Sequence, residues 1–414
     1  MRMRLTPRHL LASLLLVAVA LAAAPAALRA EQGRVTVYGN YYRERSTRVL
    51  QPGVRVTVNA PDERLTFGAG YLLDAITSAS IAAGAMQVTG GDRAFTEFRH
   101  EAVGTVASRL EAWQLGGHFR YSTETDYIAR DVGLSVGRDF LQRTLNVALA
   151  YTYAFNRAFA LRGPVDRNPW CGGLVPTTEC LDDNAGNKNL LQVHYLSATY
   201  THALHRQVLA QAAVETWFAR GPMDNPYREA TIPNGFPEAH PRSRDRVSLF
   251  ANLRAAFPKA RLVLDPRYRF YTDDWGITAH TADLRLHVRI TRHLRARVRY
   301  RFYAQSQARF YRDDMIYTGE PDEERSGDPK MDDFMSHTPG IQLTWHLDGL
   351  ARFPRLAFLE GAWIQATYNH IIFDYDDTRS IYCTDGGYLP KRVLERRQDL
   401  CGARLGTVAF SIAF

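Results

Sequence analysis

The chain has 414 residues, enough for two or three ordinary domains or for one large closed sheet. Its formal net charge of +8 would by itself fit a nucleic-acid or anionic-surface binder. The basic residues, however, alternate with apolar ones along extended stretches and do not gather in tails or helical stripes, which argues against nucleic acid.

At the N-terminus, Arg2, Arg4 and Arg8 precede the apolar run LLASLLLVAVALAAA at 10–24, and PAALRA closes the segment at Ala30. A basic start, a short apolar core and a small-residue end describe a secretory signal peptide over 1–30, with cleavage after Ala26 or Ala30. An uncleaved anchor helix is the alternative. No cysteine stands at the junction, so a lipoprotein is not expected. Beyond residue 31 no apolar run approaches the length of a membrane helix. The remaining 31–414 therefore forms one domain that is either soluble outside the cytoplasm or crosses a membrane with strands.

Period-two alternation recurs along that domain. In chain order the predicted strands are 34–42, 49–59, 63–73, 94–104, 109–121, 125–138, 144–155, 190–202, 207–218, 244–256, 259–270, 277–290, 294–304, 333–347, 356–371 and 403–414. The pattern is plainest in LRARVRYRFYA at 294–304. A helix would smear its two residue classes round the cylinder; a strand sorts Leu294, Ala296, Val298, Tyr300, Phe302 and Ala304 from Arg295, Arg297, Arg299 and Arg301. The registers of 125–138, 190–202 and 356–371 are the least distinct.

The connections carry a second signal. Links after even-numbered strands are short, as in APDE, RDFLQR, ALHR, FPKA and TRH. All the long links follow odd-numbered strands: 74–93, 156–189, 219–243, 305–332 and 372–402. Long and short links thus segregate to opposite ends of a sheet. That is the habit of outer-membrane barrels, with short periplasmic turns and long extracellular loops. The predicted fold is all-β: a transmembrane antiparallel barrel of about sixteen strands. The last strand, RLGTVAFSIAF, alternates to a terminal Phe414, which resembles the C-terminal signal read by the bacterial barrel-assembly machinery.

Two cysteine pairs fall in the long links, Cys171 with Cys180 and Cys383 with Cys401. Local disulfides 171–180 and 383–401 are the simplest of three connectivities in an exported protein. A zinc site is the rival, but there is no CxxC and no histidine at ligand spacing. Acidic doublets recur in the links, among them Asp182–Asp183, Asp273–Asp274, Asp313–Asp314, Asp332–Asp333 and Asp376–Asp377, with Asp322–Glu323–Glu324. They read as solvated charges; binding of Ca²⁺ or Mg²⁺ beside lipopolysaccharide is the alternative, though LDDNAGNKN (181–189) lacks the spacing and terminal Glu of a calcium loop.

The segments YYRERSTRV (41–49), YLLDAITSAS (71–80) and FTEFRHE (95–101) resemble domain-of-unknown-function family 3570. That resemblance implies an exported, outer-membrane barrel. It implies no activity and transfers no functional residue.

The candidate site is the inner face of the barrel. Arg261, Arg267 and Arg269 share one face of their strand, as do Arg285, His287 and Arg289, followed by Arg295, Arg297, Arg299 and Arg301. Turned outward, each arginine would cost about 2–4 kcal/mol near the bilayer midplane, so the basic wall must face the lumen. Such a wall suits a small anionic solute. The alternative is a non-conducting structural or partner-binding barrel with a lumen closed by ion pairs and loops, with Glu97, Glu101, Asp131, Asp265 and Asp283 as counter-charges. No HExxH, GxSxG or phosphate-loop motif is present, and neither an enzyme, a metal nor a cofactor is expected. The expected partners are outer-membrane lipid and lipopolysaccharide. His194, His202 and His337 read as polar fillers, and Tyr41, Tyr71, Tyr121, Tyr127, Tyr200, Tyr268, Phe270 and Tyr300 as interface aromatics.

Overall fold

The computed structural model describes residues 32–44, 47–60, 64–78, 95–124, 127–158, 190–224, 230, 238–312, 316–320, 322–375 and 402–413. The signal segment, Cys171, Cys180, Cys383, Cys401 and Phe414 lie outside those residues. Sixteen antiparallel strands close into one barrel in sequential order. They are β1 (Gln32–Arg43), β2 (Thr47–Asn59), β3 (Leu65–Ser78), β4 (Phe95–Leu110), β5 (Trp113–Thr123), β6 (Tyr127–Phe140), β7 (Leu145–Ala158) and β8 (Leu190–His205), followed by β9 (Val208–Arg220), β10 (Ser243–Phe257), β11 (Leu262–Asp273), β12 (Thr278–Arg289), β13 (Leu294–Gln305), β14 (Phe334–His346), β15 (Trp363–Asp374) and β16 (Gly402–Ala413). β1 pairs with β16 over Arg34–Arg43, so no edge is left open.

The polarity of the molecule is inverted. Asp74, Asp265, Ser248 and Ser411 are among its most buried side chains, while Leu134 is 69% exposed and Val408 60%. Leu115, Phe119, Leu149, Leu284, Val298 and Ile341 extend that exposed apolar band round the outer wall. In water each such side chain forgoes about 1.5–3 kcal/mol of burial. A closed barrel with an apolar outside and a polar inside is a membrane-spanning one.

Register rows climb the wall. A row of paired residues starts at Gln32 on β1, runs through Ala107, Ala150, Ser248 and Tyr271, and reaches Phe334 at the first position of β14. The strands are therefore tilted, with the register advancing by about one residue per strand.

The prolines inside strands sit at breaks in the ladder. Pro52, Pro266 and Pro339 each stand where pairing with one neighbour skips two positions. The ladder loses nothing there that a proline could have supplied, and Asn252 Nδ2 donates to the Pro266 carbonyl at 3.0 Å.

The links segregate as expected, and the ends can be called the turn end and the loop end. Two departures from the sequence reading have clear causes. β15 starts at Trp363 and not near 356, because Pro354 opens a 3-10 turn over Pro354–Leu359. The link between β14 and β15 is consequently the long one at the turn end. Arg261 is not on a strand: it closes the turn after Pro258–Ala260 with φ 54°.

At the loop end, the links after β9, β11 and β13 pack together. Trp275, Ile277, Ala308 and Phe310 form a buried apolar core, with the Trp275 and Phe310 rings 5.0 Å apart. Buried Glu238 accepts from Ser326 Oγ at 2.9 Å and from the Gly327 N–H at 3.1 Å. Gln305, on the inner face of β13, donates to the Lys330 and Asp332 carbonyls at 2.8 and 2.6 Å. Residues 330–332 are thus held to the inner face of β13 at its loop end.

Candidate functional site

On β11–β13 the arginines from Arg267 to Arg301 share a face with buried Asp265 and Asp283, opposite the exposed Leu284 and Val298. Arg267 on β11 lies opposite Asp283 on β12, and Asp283 opposite Arg301 on β13. One step toward the turn end, Asp265, Arg285 and Arg299 align; one step further, Val263, His287 and Arg297. Arg289 and Arg295 form the next pair, both exposed at the turn end.

Two buried carboxylates organise the wall. Asp283, 8% exposed, takes a fork from each neighbour: Arg285 Nη2 at 2.9 Å and Arg299 Nη2 at 2.7 Å. Asp265, 1% exposed, receives Arg267 through Nε at 3.0 Å and Nη2 at 2.8 Å, with His287 Nε2 at 3.5 Å. Arg269 pairs with Glu215 on β9 at 2.9 Å. Parallel two-bond contacts of this kind are the strong form of ion pair.

Those acids do not exhaust the wall. Among the described residues, Arg297 and Arg301 have no carboxylate partner; they flank the Asp283–Arg299 pair along β13. Arg301 instead rests over the Tyr303 ring at 5.8 Å. Arg246 on β10 is likewise without an ion pair.

The other expected counter-charges serve a different cluster. Glu101 and Asp131 both bind Arg120 on β5, at 3.1 and 2.6 Å, and His118 stands 3.2 Å from Asp131. In the sequential strand order β5 sits half a turn from β13, so these acids face the basic wall across the barrel and do not neutralise it. The side chain of Glu97 is outside the description. Asp273, expected as a solvated loop charge, is instead fully buried against Arg244 at 2.6 Å, and Arg244 stacks over Trp275 at 4.0 Å. Among the described residues no group of histidine, cysteine and carboxylate side chains is arranged to hold a metal.

The outer wall carries an arrangement that sequence reasoning missed. The hydroxyls of Tyr71, Tyr151, Tyr268 and Tyr300 are hydrogen-bonded to Nδ1 of His100, His194, His280 and His337, at 2.6–2.8 Å. In all four the tyrosine is on an odd strand, and the histidine, on the next strand, lies opposite the residue two further toward the loop end. Tyr368 and His370 on β15 add a fifth pair at 3.4 Å. With the register slope of about one residue per strand, these pairs stand at one height and girdle the barrel near its loop end. Tyr200 and His202 form a similar pair at the turn end. The histidines expected as fillers are thus hydrogen-bonded partners of the interface tyrosines.

No curated protein matches the chain. Among solved structures it is similar to one titled "Bacterial polysaccharide outer membrane secretin", with 7% identity, 92% of this chain and 98% of that chain covered, and a TM-score of 0.50. It is also similar to Pseudomonas aeruginosa OccD3 (OpdP), at 11% identity, 93% and 91% coverage and TM-score 0.43, and to the P. aeruginosa siderophore receptor PirA, at 10% identity, 83% and 56% coverage and TM-score 0.40. A family profile described as "Protein of unknown function (DUF3570)" matches residues 91–355. Of the three segments that resembled the family in sequence, FTEFRHE falls inside that span and the two earlier ones precede it. The match covers well over half of the sequence, and the chain belongs to the DUF3570 family.

Proposed function

We propose that this barrel is a channel or transport scaffold of the bacterial outer membrane, turn end to the periplasm and loop end outward, whose basic lumen favours small anionic solutes. The observation that carries the reading is Arg297 and Arg301, two lumen-facing guanidinium groups on adjacent inward positions either side of Arg299, with no carboxylate partner among the described residues. Unpaired charge on a low-dielectric wall raises the local concentration of counter-ions. The paired arginines are held rigid by Asp265 and Asp283 and serve as the frame for the unpaired ones. No catalytic step is assigned to any residue. Export through the signal segment and assembly through Phe414 belong to the same reading.

A second reading has its own support. Residues 330–332, held to the inner face of β13 through Gln305, stand at the loop end on the basic side and suit a closed barrel that binds a partner. Conductance separates the two. The refolded protein in a planar bilayer under a KCl gradient should give steps with chloride preference, weakened in an Arg297→Ala/Arg301→Ala variant. A correctly folded barrel without conductance overturns the open-channel reading.

A further inference from the structure

The basic lumen leaves unexplained a second set of arginines, on the opposite face of the wall. Arg43, the last residue of β1, pairs in register with Arg48 on β2 and with Arg404 on β16. Arg404 in turn pairs with His370 on β15. Neighbouring strands stand about 4.8 Å apart, so three guanidinium stems leave the wall within about 10 Å of one another. All three side chains are exposed. Alternation sets them on the outside: Tyr41 and Val408 share their parity and are exposed, whereas buried Ala403 has the opposite parity.

Like charges directly opposite one another across a ladder are destabilising. Three in a row favour a bound anion. Among the described residues none of the three has a carboxylate partner. Glu44, the nearest acid along β1, accepts from the Tyr42 hydroxyl at 2.8 Å. Asp374 is four residues beyond His370 on β15, opposite Met335.

The position identifies the source of the anion. The row starts at His370, a member of the tyrosine–histidine girdle, and with the register slope it climbs through Arg404 and Arg43 to Arg48, toward the loop end. It therefore stands just beyond the girdle, where the apolar band gives way to headgroups, and it faces neither the lumen nor bulk solvent. Guanidinium forks match phosphate oxygens. Three of them exceed what a single phosphate requires.

We propose that Arg43, Arg48 and Arg404, with His370 at the edge, form a binding site for a multiply phosphorylated lipid headgroup, that of the outer-leaflet glycolipid. The proposal rests on the reading of the loop end as the extracellular side. The site joins the first two strands to the last two, so an occupied site bridges the closure of the barrel.

The test is lipid binding by the delipidated mature protein in detergent, followed by native mass spectrometry. The probes are bisphosphorylated lipid A, its monophosphoryl form, phosphatidylglycerol and inorganic phosphate. The expected result is at least a tenfold loss of lipid A binding in the Arg43→Gln/Arg48→Gln/Arg404→Gln variant. The lumen variant Arg297→Gln/Arg301→Gln should bind as the parent does, and monophosphoryl lipid A should bind the parent more weakly than the bisphosphorylated form. Undiminished binding by the triple variant overturns the site. Equal binding of phosphatidylglycerol, or competition by inorganic phosphate at similar concentration, overturns the assignment to glycolipid. Should the triple variant not fold, a photoactivatable lipid A on the parent protein decides: cross-links must map to β1, β2 and β16, and cross-links elsewhere refute the site. The assay uses neither conductance nor membrane orientation, so failure of the channel reading cannot be mistaken for failure of this one.

Discussion

Asp283→Asn removes the shared counter-charge of the basic wall while keeping the shape of the side chain. In the parent, Asp283 accepts from Arg285 Nε at 3.1 Å and Nη2 at 2.9 Å, and from Arg299 Nη2 at 2.7 Å. An amide offers one acceptor oxygen and turns two N–H donors toward guanidinium donors. Removing one member of a fully buried ion pair costs about 3–5 kcal/mol. Arg285 and Arg299 remain 19% and 21% exposed, so water in the lumen recovers part of that. The expected cost is about 2–3 kcal/mol, or on the order of 30- to 150-fold in the folding equilibrium. Urea unfolding of the protein in thin-bilayer vesicles, followed by tryptophan fluorescence, measures it. The same variant leaves Arg285, Arg297, Arg299 and Arg301 without a carboxylate between them, so chloride preference should rise. Stability within about 0.5 kcal/mol of the parent would show that the double fork does not hold β12 to β13. A fall in chloride preference would show that the wall does not set selectivity.

Three further outcomes follow from the same geometry. Leu284→Arg, next to Asp283 but 48% exposed on the outer wall, should cost about 2–4 kcal/mol in lipid vesicles and far less in detergent, read from folding yields in each. Trp275→Ala empties a site that is 2% exposed at the centre of the loop-end core; a cavity there costs about 3–5 kcal/mol locally, so limited proteolysis should cut within 306–332 while the barrel keeps its heat-modifiable gel migration. Peptide mapping of the unreduced protein should give the linked pairs 171–180 and 383–401, and any other pairing refutes the local connectivity.

How far the sequence could be read depended on which surface a residue meets. The outer wall meets one uniform solvent, hydrocarbon, so its demand repeats at every second residue, and β13 could be assigned from LRARVRYRFYA alone. Element ends were less legible because they answer to local backbone: Arg261 adopts a left-handed conformation in a turn, and Pro354 holds 354–359 in a helical turn where alternation suggested strand. The inner wall meets particular partners. Half of that pairing was within reach, since Asp265–Arg267 and Asp283–Arg285 are neighbours two apart on one face. The other half depends on register. Glu101 and Asp131 look like equal candidates to neutralise the wall until strand order puts them across the barrel on Arg120.

The tyrosine–histidine girdle makes the same point from the outside. RYRFY occurs twice, at 267–271 and 299–303, and its repetition is visible in one dimension. The partners His280 and His337 come after links of very different length, so no spacing rule connects them to the repeat. Only the ladder does, by placing each histidine opposite Phe270 or Phe302, one diagonal step from the tyrosine. A residue whose environment is a phase is legible from its own strand. A residue whose environment is another side chain is legible only once the neighbouring strand has been docked, and the lumen arginines, on which selectivity would depend, are of that second kind.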